Sequence, residues 1–320
     1  MRHNDDAFAT MLLTCRIAAD RDELARPLGA QEYHRLEQDA RRAGLPGLGG
    51  LIGADVSRLK MALDLPEQDA YRLAVLLNRA MPLSYALERY AEAGIEIVTE
   101  GERCYPARLT ERLGDKAPPM LYACGDLGIL GKPALALIGA GGRCDAEELL
   151  TRLCARAHEA DLTVLTGDEP GVGRAAERLV GRGGGRYAAF MAGELAERMY
   201  QPGISELIAG GRGLALSIEH PDAAYTRAHA LERNRCLHAL SLMSVVVSGG
   251  PERGATLESA AAALRGGWAE AVYVWNGCNQ AGNPALRQRG ASGFDDADAL
   301  PIADLARRAA LPRYQQLSML

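Results

Sequence analysis

Ala134-Leu135-Ala136-Leu137-Ile138-Gly139-Ala140-Gly141-Gly142-Arg143 is an apolar run that breaks into glycine and ends on an arginine. We read Leu135 to Ile138 as a buried strand. Ala146 to Glu159 then carries apolar residues at three-to-four spacing, which predicts an amphipathic helix, and Thr163 to Leu165 is a second apolar strand. The alternation continues to residue 275. Further strands are expected at Tyr187 to Met191, Leu214 to Ile218, Ser244 to Ser248 and Val272 to Trp275. Helices are expected at Arg174 to Val180, Ile204 to Ala209, Tyr225 to Leu240 and Thr256 to Leu264. Strands alternating with helices specify an α/β fold with a parallel sheet covered by helices.

Upstream the texture differs. Asp20 to Ala25, Gln31 to Ala43, Val56 to Leu63, Glu67 to Arg79 and Leu83 to Ala93 all have helical periodicity, so residues 1–92 read as a small all-helical N-terminal module. Residues 93–300 form the sheet domain and 301–320 a tail. Pro46-Gly47-Leu48-Gly49-Gly50 is either a plain turn between helices or a hairpin that holds DNA phosphate, and the plain turn is preferred. Ile95 to Val98 alternates as a short strand, and Pro106, Pro118 and Pro119 mark an irregular connection.

In a parallel sheet, ligands gather at the carboxyl ends of the strands. Four loops there are rich in Gly and small polar residues: Gly139 to Arg143, Thr166-Gly167-Asp168-Glu169-Pro170-Gly171, Gly249 to Thr256, and Asn276 to Asn283. Such loops let backbone amides approach an anion closely. Arg233-Asn234-Arg235 lies on the helix leading into the strand Ser244 to Ser248, whose following loop carries Arg253. Guanidinium groups beside a glycine-rich loop predict a phosphate site, and hence a nucleotide or nucleic acid as ligand. The bland reading of the triplet is a solvated helix face. Gly139-Ala140-Gly141 starts like a dinucleotide fingerprint, but Cys144 stands where its third glycine belongs, so NAD is disfavoured. Glu258 reads as a helix-start carboxylate before it reads as an acid or base.

Composition excludes several classes. Hydrophobic residues are 48% and charged residues 24%, with no run near the roughly 18 apolar residues that span a membrane. Seven scattered cysteines without a Cys-x-x-Cys pair suit a reduced, cytoplasmic setting. No His/Cys spacing implies a metal, and no cofactor is expected. Net charge is −5, and Lys60, Lys116 and Lys132 are the lysines, so positive charge is carried almost wholly by Arg. Arg suits bidentate phosphate contacts.

These motifs, in order, resemble one family. Tyr90-Ala91-Glu92-Ala93-Gly94-Ile95, Cys104-Tyr105-Pro106 with Leu109, Pro118-Pro119-Met120-Leu121-Tyr122-Ala123-Cys124-Gly125-Asp126, the Ile138-Gly139 loop ending in Arg, Thr166-Gly167, Arg233-Asn234-Arg235, and Gly282-Asn283 with Leu286 and Gly290-Ala291 are similar to the DprA (Smf) family of DNA-processing proteins. The resemblance covers about residues 83 to 293. It implies a Rossmann-like domain that binds single-stranded DNA in a basic pocket, often as a homodimer, and passes DNA to a recombinase; it implies no catalysis. By position it assigns the phosphate-binding roles to Arg143, Arg233, Asn234, Arg235, Arg253, Gly254, Gly282 and Asn283. Gly139, Gly141, Gly142, Thr166 and Gly167 complete the expected DNA-binding edge.

The departures are specific. The first loop is longer by about two glycines, and the family's Gly-Ile-Asp and Ala-His are here Gly171-Val172-Gly173 and Ala176-Glu177. Ser248 replaces an acidic residue. A divergent member of this kind serves DNA uptake and recombination, or acts as the DNA-sensing or antitoxin partner of a toxin or effector in a defence locus. The competing class is enzymatic: Gly249 to Glu258 is also similar to the loop of LOG-type nucleotide phosphoribohydrolases, in which Glu258 would be the catalytic carboxylate.

Overall fold

A computed structural model describes residues 3–17, 26–140, 145–251 and 254–310, and the chain divides into two compact units, residues 1–123 and 124–320. The first contains helices α1 (Asp5–Thr14), α2 (Ala30–Arg42), α3 (Val56–Leu63), α4 (Glu67–Leu77) and α5 (Ala80–Glu92), then strand β1 (Glu96–Thr99), α6 (Ala107–Leu113) and strand β2 (Met120–Gly125), which runs over the boundary. The helix expected over 20–25 lies outside the described residues. Tyr33, Leu36 and Ala40 recur on one face of α2 and pack with Leu59, Leu63, Leu73 and Leu77 into one apolar core. Side-chain caps start two of these helices: Asn4 accepts the Ala7 N–H and Asp55 the Arg58 N–H, both at 2.8 Å.

The first unit is not wholly helical. β1 and β2 pair antiparallel, Ile97 opposite Tyr122. Pro118 and Pro119 concealed β2, because proline in a run argues against a strand. They sit just before it, and the Pro119 carbonyl accepts the Glu100 N–H at 2.9 Å. Pro46 to Gly50 bends into a 3-10 turn over Gly49–Leu51. The Asp6 carboxylate accepts the Gly49 N–H at 2.7 Å, and Arg58 donates to the Gly50 carbonyl at 3.0 Å. A carboxylate thus holds an amide that a phosphate would need.

The second unit alternates strand and helix. Its elements are β3 (Ala134–Gly139), α7 (Glu147–Glu159), β4 (Thr163–Thr166), α8 (Val172–Gly183), β5 (Arg186–Met191), α9 (Leu195–Arg198), α10 (Ile204–Ala209), β6 (Gly213–Ser217), α11 (Arg227–Leu240), β7 (Met243–Ser248), α12 (Ala255–Gly266), β8 (Ala271–Trp275), α13 (Gly282–Gln288), β9 (Ser292–Phe294) and α14 (Ile302–Ala310). Seven strands lie in the order β6-β5-β4-β3-β7-β8-β9, and every neighbouring pair is parallel. From β3 the chain steps outward through β4, β5 and β6, then returns to β3's other side for β7. The switch point therefore lies between β3 and β7.

Burial follows position. β3 and β7 are buried at every residue, as strands covered on both faces must be, whereas β8 alternates and sends Val272 and Val274 under α12 and α13. The 301–320 tail begins as α14; its last ten residues lie outside the described residues. Among the described residues no helix is long and apolar enough to cross a membrane.

His238 ends α11 fully buried, with Nδ1 2.9 Å from Ser244 Oγ and Nε2 without a partner. Burial disfavours its charged form and pushes its pKa down from 6.5 to about 4. The neutral ring is thus required by the fold. Stability should be unaffected by this group above pH 6.5 and fall by roughly 3 kcal/mol as pH drops toward 4, where the unfolded chain takes up a proton that the folded chain refuses. Urea unfolding at several pH values should show that His238→Gln loses this share of the acid sensitivity; an unchanged pH profile in the variant would refute the assignment.

Candidate nucleic-acid interface

The switch point brings the loops after β3 and β7 together. The Ala140 N–H donates to the Ser248 carbonyl at 2.8 Å, and Gly139 pairs with Ser248 across a shift in register. Beyond these anchors, Gly141, Gly142 and Arg143 on one loop and Arg253 on the other lie outside the described residues. Gly254, the N-cap of α12, closes the second loop.

The β7 loop is clamped from α13 and the turn before it. Asn283 is buried; its Nδ2 donates to the carbonyls of Val247 at 3.1 Å and Trp275 at 2.8 Å, and its Oδ1 accepts the Gly249 N–H at 2.6 Å. One amide side chain thereby ties the ends of β7 and β8. Gln280 Oε1 accepts from the Gly250 N–H at 2.8 Å and from Ser248 Oγ at 2.6 Å. Gly282 donates its N–H to the Gly250 carbonyl at 2.8 Å, and a Cβ there would overlap the Gly249 backbone. Gly282 and Asn283 therefore shape the loop from behind.

The Arg233-Asn234-Arg235 triplet does not present three side chains to one edge. Arg233 is buried and donates to the carbonyls of Gly167 and, at 3.3 Å, Phe190, while its guanidinium lies 3.6 Å from Glu169 Oε2. A Cβ at Gly167 would press on that guanidinium and require it to shift. Asn234 is also buried. Arg235 is partly open, but it pairs with Glu232 at 2.6 Å and stacks over Trp268 at 5.6 Å from the ring centroid. Trp268 follows the end of α12, about 18 Å along that helix from Gly254. Arg233 and Asn234 are thus buried on α11, while Arg235 lies against Glu232 and Trp268.

Residues that sequence reading had passed over as loop or helix surface do converge on the carboxyl edge. Glu169 Oε1 accepts the Gly139 N–H at 3.1 Å, linking the end of β3 to Arg233. Burial raises the Glu169 carboxyl above its usual range, and the Arg233 charge and the amide contacts oppose that rise. Asp168, at φ 60°, receives Arg198 Nε at 3.1 Å and Arg174 at 3.3 Å, and Arg198 also pairs with the buried Glu177. Thr166 is buried, its hydroxyl 2.7 Å from the Tyr187 hydroxyl. Three carboxylates thus face three guanidiniums, and this part of the edge is close to neutral.

Arg227 at the start of α11 meets Glu258 in the first turn of α12. Glu258 is 43% exposed and ion-paired with Arg227. It stands in the first turn of α12, where a carboxylate favours the helix N-terminus.

Removing Arg233 would strand the Glu169 carboxylate and the carbonyls of Gly167 and Phe190. Arg233→Ala should lower unfolding stability by about 3–5 kcal/mol, and adding Glu169→Gln should recover part of that loss by removing the uncompensated charge. Denaturant midpoints of the two single variants and the double variant would check this; additive losses would contradict the clamp.

With this geometry in place, comparison with known proteins is informative. A family model described as DNA recombination-mediator protein A matches residues 96–302, more than half of the chain. No curated protein matches. DNA processing protein A of Streptococcus pneumoniae superposes with a TM-score of 0.57 at 20% identity, covering 85% of this chain and 96% of that one. The DNA processing protein A of Helicobacter pylori, solved to explain a single-stranded DNA binding mode, gives a TM-score of 0.51 at 18% identity, covering 67% and 95%. At these identities the likeness shows the fold, and the family match adds membership. A parallel sheet with its switch point between β3 and β7, set beside that match, makes this chain a member of the DNA recombination-mediator protein A family of DNA-processing proteins.

Proposed function

We propose that this protein binds single-stranded DNA at the carboxyl edge of its parallel sheet, at the switch point between β3 and β7, and serves DNA processing there. The observation that carries the reading is the clamp on the β7 loop by Gln280, Asn283 and Gly282, which fixes a glycine turn beside the β3 loop. By sequence position, Gly139-Ala140-Gly141-Gly142-Arg143 and Arg253-Gly254 belong to these two loops. Their amides and arginines are the phosphate contacts in this proposal. Arg233, Asn234, Thr166, Gly167 and Asn283 hold the edge in shape, and Arg235 lies apart from it.

Charge decides how binding should respond to salt. Asp168, Glu169 and Glu177 offset Arg174, Arg198 and Arg233, so these three arginines are not the phosphate contacts in this proposal. The aromatic share is 5%, which limits base stacking. Phosphate contact with little base readout suits a protein that accepts many sequences. A homodimer and a recombinase partner are part of the same proposal, as expected of this family's DNA-processing role.

Fluorescence anisotropy with a labelled oligo-dT strand should show binding at low salt, with a log K against log salt slope of about −2 to −3, as three or four phosphate contacts would give. Arg143→Ala with Arg253→Ala should reduce affinity by tenfold or more, whereas Arg235→Ala should change it less than about twofold. Undetectable binding at low salt, or a larger loss from Arg235→Ala than from the loop pair, would remove this proposal.

A further inference from the structure

Helix α8 begins beside the switch point and runs away from it. Val172, its first residue, packs so closely on the end of β3 that a Cβ at Gly139 would overlap the Val172 side chain. The helix buries Val172, Ala176, Glu177 and Val180, while Arg174 is half-buried and Arg178 and Arg182 are exposed. Arginines at i, i+4 and i+8 share one helix face and advance about 6 Å at each step, so the three form a ridge about 12 Å long.

The charge on this ridge is unevenly used. Arg174 meets Asp168 at 3.3 Å, and the carboxylate of α8 itself, Glu177, is buried against Arg198. Arg178 gives one N–H to the Arg174 carbonyl at 3.1 Å, and neither Arg178 nor Arg182 is ion-paired among the described residues. At the far end Arg212 donates to the carbonyls of Val180 at 3.5 Å and Gly185 at 3.2 Å, which adds a further cation there. The helix dipole accounts for a cation in the last turn, where Arg182 stands, but not for Arg178 a turn earlier. Nor does it account for Gly181, which lies between them. Glycine is a poor helix former, yet Gly181 has no left-handed φ, and a Cβ there would meet nothing within 4 Å. Neither backbone geometry nor packing inside the chain calls for glycine at this position, and its effect is to leave the ridge low and open to another backbone.

We propose that α8 carries single-stranded DNA away from the switch point, with Arg178 and Arg182 on successive phosphates. The inference rests on the edge-binding reading above and extends it: the loops after β3 and β7 hold one part of the strand, and the ridge sets the direction in which the rest leaves. A row of phosphates is the partner that fits. Exposed guanidiniums one helical turn apart, with no carboxylate between them, offer paired N–H donors to an anion about once per nucleotide of an extended strand, and they read no base.

The test compares labelled oligo-dT of about 6 and about 20 nucleotides on the full-length chain at low salt. Arg178→Ala with Arg182→Ala should weaken the longer strand about fivefold or more and make its log K against log salt slope shallower by about 1.4, at about 0.7 for each lost phosphate contact, while the shorter strand changes less than about twofold. Gly181→Gln should raise the denaturant midpoint, because it replaces glycine in a helix, and still weaken the longer strand. Arg265→Ala with Arg289→Ala removes the same charge from exposed positions on α12 and after α13, and should leave both strands within about twofold. All four arginines are exposed, so the core is untouched, and denaturant midpoints of the variants check this. Equal losses in the two arginine pairs would overturn the proposal, since bulk charge would then explain them, and so would an equal loss on the shorter strand. Binding of both strands that ignores Arg178 and Arg182 would overturn this inference and leave the edge reading intact, whereas no binding of either strand would remove both.

Discussion

The carboxyl edge of the sheet depends on one buried guanidinium. Arg233 reaches from α11 to the carbonyls of Gly167 and Phe190 and stands 3.6 Å from Glu169, whose other oxygen holds the Gly139 amide. Three strand ends are thereby fixed by one cation and one anion, both taken out of water. Such a pair contributes little net stability, because desolvation offsets much of its attraction, but breaking it is costly and so the geometry is narrowly specified.

The rest of the edge obeys the same economy of charge. Arg198 and Arg174 meet Asp168, Arg198 meets Glu177, and the β7 loop is shaped by the neutral side chains of Asn283, Gln280 and Ser248. Among the described residues, Arg174, Arg198 and Arg233 are paired internally and so add little long-range attraction in a chain of net charge −5. In the proposed function, binding therefore rests on short-range contacts at the two switch-point loops.

Much of the fold was legible in local pattern. The strands at 135–138, 163–165, 187–191, 214–218, 244–248 and 272–275 correspond to β3 through β8, because the strands buried on both faces are apolar in an unbroken run, while β8 alternates buried and half-buried residues. β2 was hidden behind two prolines, and β9 is three residues long with a single buried position. At the site, the glycines were readable as loops, but the direction of Arg233, Asn234 and Arg235 was not. Adjacent residues on a helix point about 100° apart, so which of them faces inward depends on what packs against that helix.

The sequence by itself determined the α/β class, the helical texture of residues 1–92, the glycine loops at the strand ends and the family motifs, all of which are local and periodic. Only the tertiary structure decided which side chains meet. Arg233 joins Glu169 across 64 residues, Asn283 joins Gly249 across 34, and Glu100 comes to His34 across 66. Partnerships at that separation are set by strand order and helix packing, and burial then decides which charges are left to face a ligand.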